Sequence, residues 1–418
     1  MDGTKWREKR AWCLALLGAV VTSSTVSCVT ELASPSPEAS RPSEARPGAL
    51  DGGSTTTAPG DFGVVDAGAD IAIGTNAWPV QAANDAGSAL AEPLEAAVGP
   101  KCGPTPTRLI EASALQGPGT VGTSIAMDLA AGATDLYVAI NYAPGGALVR
   151  VPLRGGPVTN VAAIAGTEQA LSLTSDGAVF VQTVANADGG YTGQVVRVGL
   201  EGGPTVVLAS APMVEASILG PAGILATDNT DVYFAAQNGT WTVPLSGGSA
   251  RMLTSHTGAL ALVGPNLLVA DTVAEAIFSV PTTGGPASVL VSNLSGSLGP
   301  MLSCGVNLCW GTVFPPEAGS YALPGPGSAL MQLDPAGALM TLANVGPIYR
   351  LAFDGTDFFV ASLDGLGELT RVPADGGPDG GMIGLGTGLA IDDECLYVGD
   401  VTGYGVYSVA RSYGGQVP

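Results

Sequence analysis

The 418-residue sequence holds a single histidine, His256. Ser-His-Asp and Cys-His nucleophilic systems and histidine-based zinc sites each need an imidazole at a defined place, so all of them would depend on this one residue. It lies in a segment read as a loop, where a solvated side chain is the simpler expectation. Acid–base chemistry therefore falls to carboxylates, two of which, suitably spaced, would serve a carbohydrate-active hydrolase or lyase. Glu168, Glu215, Glu275, Glu317 and Asp364 fall in stretches joining the repeated units or the strands within them. Tyr142, Tyr191, Phe314, Tyr321, Tyr349, Arg350 and Tyr404 accompany them. Aromatic rings beside acids suit sugars, peptides or cationic ligands. No spacing singles out two of the acids as a pair. Asp128, Asp176, Asp228, Asp354 and Asp392 do recur regularly, and because short Asp side chains bond nearby backbone amides, they read as turn residues. Calcium needs six or more converging oxygens, and the sequence has no DxDxDG loop. The glycines of GGPDGGMIGLGTG (376–388) open no helix, which a phosphate cradle requires. The sequence thus calls for no metal and no cofactor.

What positions these residues is a repeat. ALVRVPLRGG (147–156) returns as QVVRVGLEGG (194–203), TWTVPLSGG (240–248), AIFSVPTTGG (276–285) and ELTRVPADGG (368–377), with worn copies ALMQLDPAG (329–337) and GVYSVARSYGG (405–415). Each reads as a short strand ending on a turn whose glycines supply positive φ. Upstream of each copy lies a second phrase, such as DLYVA (135–139), DVYFA (231–235), DFFVA (357–361) or CLYVGD (395–400). A third phrase precedes that one, and an apolar strand such as VTNVAAIA (158–165) follows each glycine pair. Four strands per unit and a mean period in the low forties match one propeller blade. The seventh unit lacks its fourth strand, and TRLIEAS (107–113) is a spare strand at the other end. The expected fold is all-β: a seven-bladed β-propeller of four-stranded blades, its ring closed by the N-terminal strand, with six or eight as the neighbouring counts.

Composition agrees. Glycine (61) and proline (31) are abundant while only 12% of residues are charged, as expected of many short strands and frequent turns. The net charge of −21 repels nucleic acid and anionic headgroups, and solubility is its simplest meaning. Lys5, Arg7, Lys9 and Arg10 precede an apolar run from Ala11 to Val21, and small residues lead on to Cys28. Residues 1–28 therefore read as an export signal, too short in its apolar part to span a bilayer. Thr25-Val26-Ser27-Cys28 resembles the lipobox of bacterial lipoproteins, which makes Cys28 the expected lipidation site; ordinary signal cleavage nearby is the alternative. Residues 29–100 turn to Ser, Pro, Ala, Gly and Thr without apolar period and read as a disordered tether before a propeller domain at 101–418.

Beyond Cys28 remain Cys102, Cys304, Cys309 and Cys395, an even number that favours two disulfides with three pairings open. Circular closure favours Cys102 with Cys395, because one precedes the spare strand and the other begins a strand of the blade that strand completes. Cys304 and Cys309 then pair locally. A metal site has no CxxC or histidine partner to support it.

LYVGD (396–400), DVYFA, VVRVGLEGG and LTRVPADGG resemble the YWTD and NHL-type β-propellers, and more closely a group of secreted bacterial propeller lipoproteins. The resemblance spans about three quarters of the chain and speaks to blades rather than ligands. Asp400 stands at the YWTD aspartate position. The resulting expectation is an exported, outer-membrane-tethered monomer that binds a protein or glycan through one loop face. It would touch the membrane only through its lipid and is not expected to be an enzyme. A hydrolase or lyase using paired acids on that face is the alternative.

Overall fold

The computed structural model describes residues 102–111, 125–142, 145–186, 191–211, 223–294, 297–313, 328–362, 367–377, 381–400 and 405–414. All regular structure among them is strand. Strand β1 (Thr107–Ile110) comes first. Blade one is β2 (Ile125–Ala131), β3 (Asp135–Tyr142), β4 (Gly145–Pro152) and β5 (Thr159–Ile164). Blade two is β6 (Thr167–Leu173), β7 (Gly177–Ala185), β8 (Tyr191–Gly199) and β9 (Val206–Ala211). Blade three is β10 (Leu225–Thr227), β11 (Asp231–Ala236), β12 (Gly239–Pro244) and β13 (Arg251–Thr254). Blade four is β14 (Ala259–Val263), β15 (Asn266–Asp271), β16 (Ala276–Pro281) and β17 (Ser288–Ser292). Blade five is β18 (Ser297–Cys304), β19 (Asn307–Val313), β20 (Ala329–Leu333) and β21 (Leu339–Asn344). Blade six is β22 (Ile348–Phe353), β23 (Asp357–Ser362), β24 (Glu368–Pro373) and β25 (Gly381–Leu385). Blade seven has β26 (Gly388–Ile391), β27 (Cys395–Gly399) and β28 (Val406–Ala410), with β1 as its outermost strand.

Each blade is an antiparallel sheet, in chain order in blades one to six, and the first strands neighbour one another around the ring, β2 meeting both β6 and β26. The fold is thus a seven-bladed β-propeller closed by its N-terminal strand. The second strands are buried on both faces, as β11 and β27 show, because neighbouring blades cover them; this is why they read as unbroken apolar phrases. Tyr137, Phe180 and Val196 fill the space between the first two blades, and Phe359, Leu396 and Val398 that between the last two.

The repeated glycine pair is the turn from third to fourth strand. Gly155 has φ of 82° and Gly156 of 148°, and the Gly155 N–H donates to the Pro152 carbonyl at 2.8 Å. The same bond recurs at Gly202, Gly247, Gly284, Gly337 and Gly376. Beyond each such turn the fourth strand carries a β-bulge, and the fourth-strand pairing in all seven blades shows the register shift. These are the edge strands, and a bulge there discourages pairing with another chain.

Both expected disulfides form. Cys102–Cys395 joins the segment before β1 to the start of β27, and Cys304–Cys309 closes the β18–β19 hairpin. Residues 1–28 and 29–100, with Cys28, lie outside the described residues.

Candidate functional site

Antiparallel blades place first-to-second and third-to-fourth turns on one rim, and second-to-third turns and blade-to-blade connections on the other. The first rim is uniform, its described turns following the repeat. Lengths on the second rim range from two residues (237–238) to fifteen (314–328). Of the candidate residues read from the sequence, Glu215, Phe314, Glu317, Tyr321, Asp364 and Tyr404 lie outside the described residues, as does the side chain of Tyr142; the described ones fall on the variable rim or at the strand ends beside it. Tyr191 opens β8 and is 70% exposed. Glu275 lies in the β15–β16 turn with φ of 50° and is exposed.

The other three, Glu168, Tyr349 and Arg350, are brought together by tertiary structure, with Asp128 as a fourth member. First strands β2, β6 and β22 each carry a β-bulge, between Ala126 and Asp128, Glu168 and Ala170, and Ile348 and Arg350 respectively. Bulges of this kind re-aim side chains. Asp128 Oδ2 stands 3.3 Å from Arg350 Nη2 and accepts the Leu171 N–H at 2.9 Å, while Oδ1 accepts its neighbour Leu129 N–H at 3.0 Å. Asp128 is in blade one, Leu171 in blade two and Arg350 in blade six. The ion pair therefore skips the seventh blade and spans the centre of the ring. The Arg350 guanidinium carbon lies 4.8 Å from the Tyr349 ring centroid.

Glu168 is 1% exposed. Its backbone is clamped by Asn141, whose side-chain carbonyl accepts the Glu168 N–H at 2.9 Å and whose amide donates to the Glu168 carbonyl at 3.1 Å. Its carboxylate, by contrast, has no hydrogen-bond partner at either oxygen among the described residues, and the Gln169 Oε1 beside it has none either. Burial, reinforced by the Asp128 charge and opposed by Arg350, holds the Glu168 carboxyl well above the usual carboxylate range.

Two expectations need correction. Asp128 is not a turn residue: β2 continues three residues beyond it, and the turn of that blade is 132–134. Asp228, Asp354 and Asp392 do cap turns, each accepting two backbone N–H bonds within three residues. The distinguishing signal was local, since Asp128 is followed by Leu129-Ala130-Ala131 rather than by polar or glycine turn residues. His256, read as a solvated loop residue, is instead held. Its Nδ1 lies 2.9 Å from Asp271 Oδ2, its ring stacks on Phe278 at 3.4 Å between centroids, and its side chain is 28% exposed. Asp271 is fixed in turn by the Val273 and Ala274 N–H groups.

On the uniform rim, a cleft of about 330 Å³ between blades six and seven is lined by Asp354, Arg371, Asp393, Glu394 and Arg411 among others. Arg371 pairs there with Asp357, and Arg411 donates to the Asp354 carbonyl. No three His, Cys, Asp or Glu side chains converge as a metal site among the described residues.

No family model matches the chain, and no curated protein matches it in sequence. Solved structures do share its fold. The catalytically inactive histidine-to-alanine variant of virginiamycin B lyase from Staphylococcus aureus, solved with quinupristin, is 11% identical at a TM-score of 0.50, covering 69% of this chain and 95% of that one. The extracellular domain of a one-component system from B. thetaiotaomicron is 12% identical at a TM-score of 0.50, covering 73% of this chain and 39% of that one. BamB from Moraxella catarrhalis is 15% identical at a TM-score of 0.43, covering 68% of this chain and 85% of that one. The class the fold defines is that of β-propellers.

Proposed function

We propose that this chain is exported through residues 1–28, carries a lipid on Cys28, is held off the membrane by residues 29–100, and binds a partner protein or glycan on the variable rim of its propeller. One observation carries the binding reading: departures from the repeat are concentrated on one rim, while the turns of the other follow it. A ring needs its blades to be alike, so a rim where they differ is free to serve recognition. Exposed Tyr191 and Glu275 are on that rim. Two disulfides fit an oxidising compartment. Propellers host both enzymes and binding modules, and the solved structures of this fold include a lyase and an extracellular domain.

The hydrolase or lyase alternative finds less support among the described acids. Glu168 is enclosed, and both oxygens of Asp128 are engaged by backbone amides and Arg350.

The test is capture from envelope extract by the immobilised mature chain. A specific partner should be retained by the wild type and lost, by tenfold or more, in a Tyr191→Ser, Glu275→Ala double variant. The edge-strand change Met252→Ser should leave capture unchanged. Retention of nothing by the wild type overturns the binding reading. Intact mass of the mature protein reads out the acyl chains on Cys28 separately.

A further inference from the structure

The Glu168 carboxylate is the feature that neither the repeat nor the proposed binding rim explains. A carboxylate enclosed without a hydrogen-bond donor cannot remain ionised unless a cation serves it. Arg350 is the cation at hand, but its guanidinium is placed on Asp128, and neither Glu168 oxygen receives a bond from it. A metal ion would find two carboxylates and a guanidinium, and no third acidic or histidine ligand converges among the described residues. Hard cations want six or more oxygens and no neighbouring positive charge. The remaining cation is the smallest, which needs no coordination shell and no entry path wider than a water molecule.

We propose that Glu168 is a proton-binding site at the centre of the ring, and that its proton decides whether Arg350 is held by Asp128 alone or contested between two carboxylates. With the proton bound, Asp128 keeps Arg350, and the sixth blade is fastened to the first and, through Leu171, to the second. When the proton leaves for solvent, its electron pair stays on Glu168, and the cluster then holds two negative charges and one positive. Among the described residues, the charged or titratable groups facing Glu168 are Asp128 from β2, and Tyr349 and Arg350 from β22, and all take part. Ionisation weakens the cross-ring pair by competition, so this tie between blades one and six loosens as the pH rises. The raised titration of Glu168 agrees with the geometry.

The closing experiment compares the full mature chain with Glu168→Gln, an uncharged isostere of the protonated side chain. At neutral pH the difference infrared spectrum should contain a protonated-carboxyl C=O band that the variant lacks and that the wild type loses at alkaline pH. The sign in thermal melting follows from linkage. A group whose folded titration is raised above its unfolded value of 4.5 costs stability progressively as pH rises above that value. Glu168→Gln should therefore melt a few degrees above the wild type at neutral pH, with the gap shrinking as the pH falls toward 4.5. Absence of the carboxyl band at neutral pH overturns the proposal. So does a variant that melts below the wild type at neutral pH with a gap that closes on acidification, the signature of an ionised, paired Glu168. A wild-type melting temperature that rises with added calcium, and does not in Glu168→Gln, overturns the proton in favour of a metal. Should the glutamine variant not fold, Asp128→Asn serves instead: removing that charge should shift the loss of the band to lower pH, and an unmoved band overturns the proposal.

Discussion

At the scale of the residue, the cluster at the ring's centre has a definite vulnerability. Arg350 is buried with its charge opposite Asp128 and near Glu168. Removing one partner of a buried pair leaves the other uncompensated, at a cost of about 3–5 kcal/mol. Arg350→Met should therefore lower the unfolding free energy by about that amount in urea titrations at neutral pH. A double variant with Asp128→Asn should recover part of the loss, because the uncompensated charge is gone; additive losses would show that the two do not act as a pair. Glu168, Tyr349 and Arg350 were legible in the sequence as rim candidates, but their assembly was not. They sit in blades two and six, and only closure of the ring brings them to Asp128. Asp128 does not share the position of the capping aspartates: it stands seven residues before the start of its second strand, whereas Asp228, Asp354 and Asp392 each stand three before theirs.

At the scale of the element, the tightest glycine sites among the described residues are the entries to two first strands. A Cβ on Gly166, between β5 and β6, would lie 1.8 Å from the Thr183 carbonyl oxygen, and one on Gly258, between β13 and β14, 1.9 Å from that of Ala270. Both obstacles are backbone and cannot swing aside. Gly166→Ala should thus destabilise by at least the ~1–3 kcal/mol typical of overpacking. Gly203→Ala offers the contrast: its φ is 119°, but nothing lies within 4 Å of the added carbon, so the backbone term alone applies, about 1 kcal/mol. Equal losses for the two in thermal melts would contradict this account. The Gly-Gly turns were legible because their φ demand leaves a mark in sequence. Gly166 carries no such mark, since its constraint is a neighbouring strand rather than its own dihedral angle.

At the scale of the whole molecule, the ring is closed non-covalently by β1 against β28 and covalently by Cys102–Cys395, whose residues are 293 apart in sequence. Cys304–Cys309 has a separation of 5. In the chain-entropy picture the long closure contributes about 6 kcal/mol and the short one about 2 kcal/mol. Replacing Cys102 and Cys395 with serine should lower the melting temperature at least twice as far as replacing Cys304 and Cys309. The reverse order in calorimetry would mean that β1 pairing alone secures the ring. The ion pair between Asp128 and Arg350 is a second tie across the molecule, bridging the centre where the disulfide locks the closing blade.

Strand period, glycine turns, blade count and both cysteine pairings could be read from the sequence, because each is repeated or demanded by closure, and repetition turns a weak local signal into a strong one. What the fold alone decided is the set of things that occur once. Bulges in three first strands redirect Asp128, Glu168 and Arg350, a lone histidine becomes fixed by Asp271 and Phe278, and one carboxylate is enclosed with no donor among the described residues. Such features depend on which blades face each other across the ring. That is a distance in space with no counterpart in the spacing of residues along the chain.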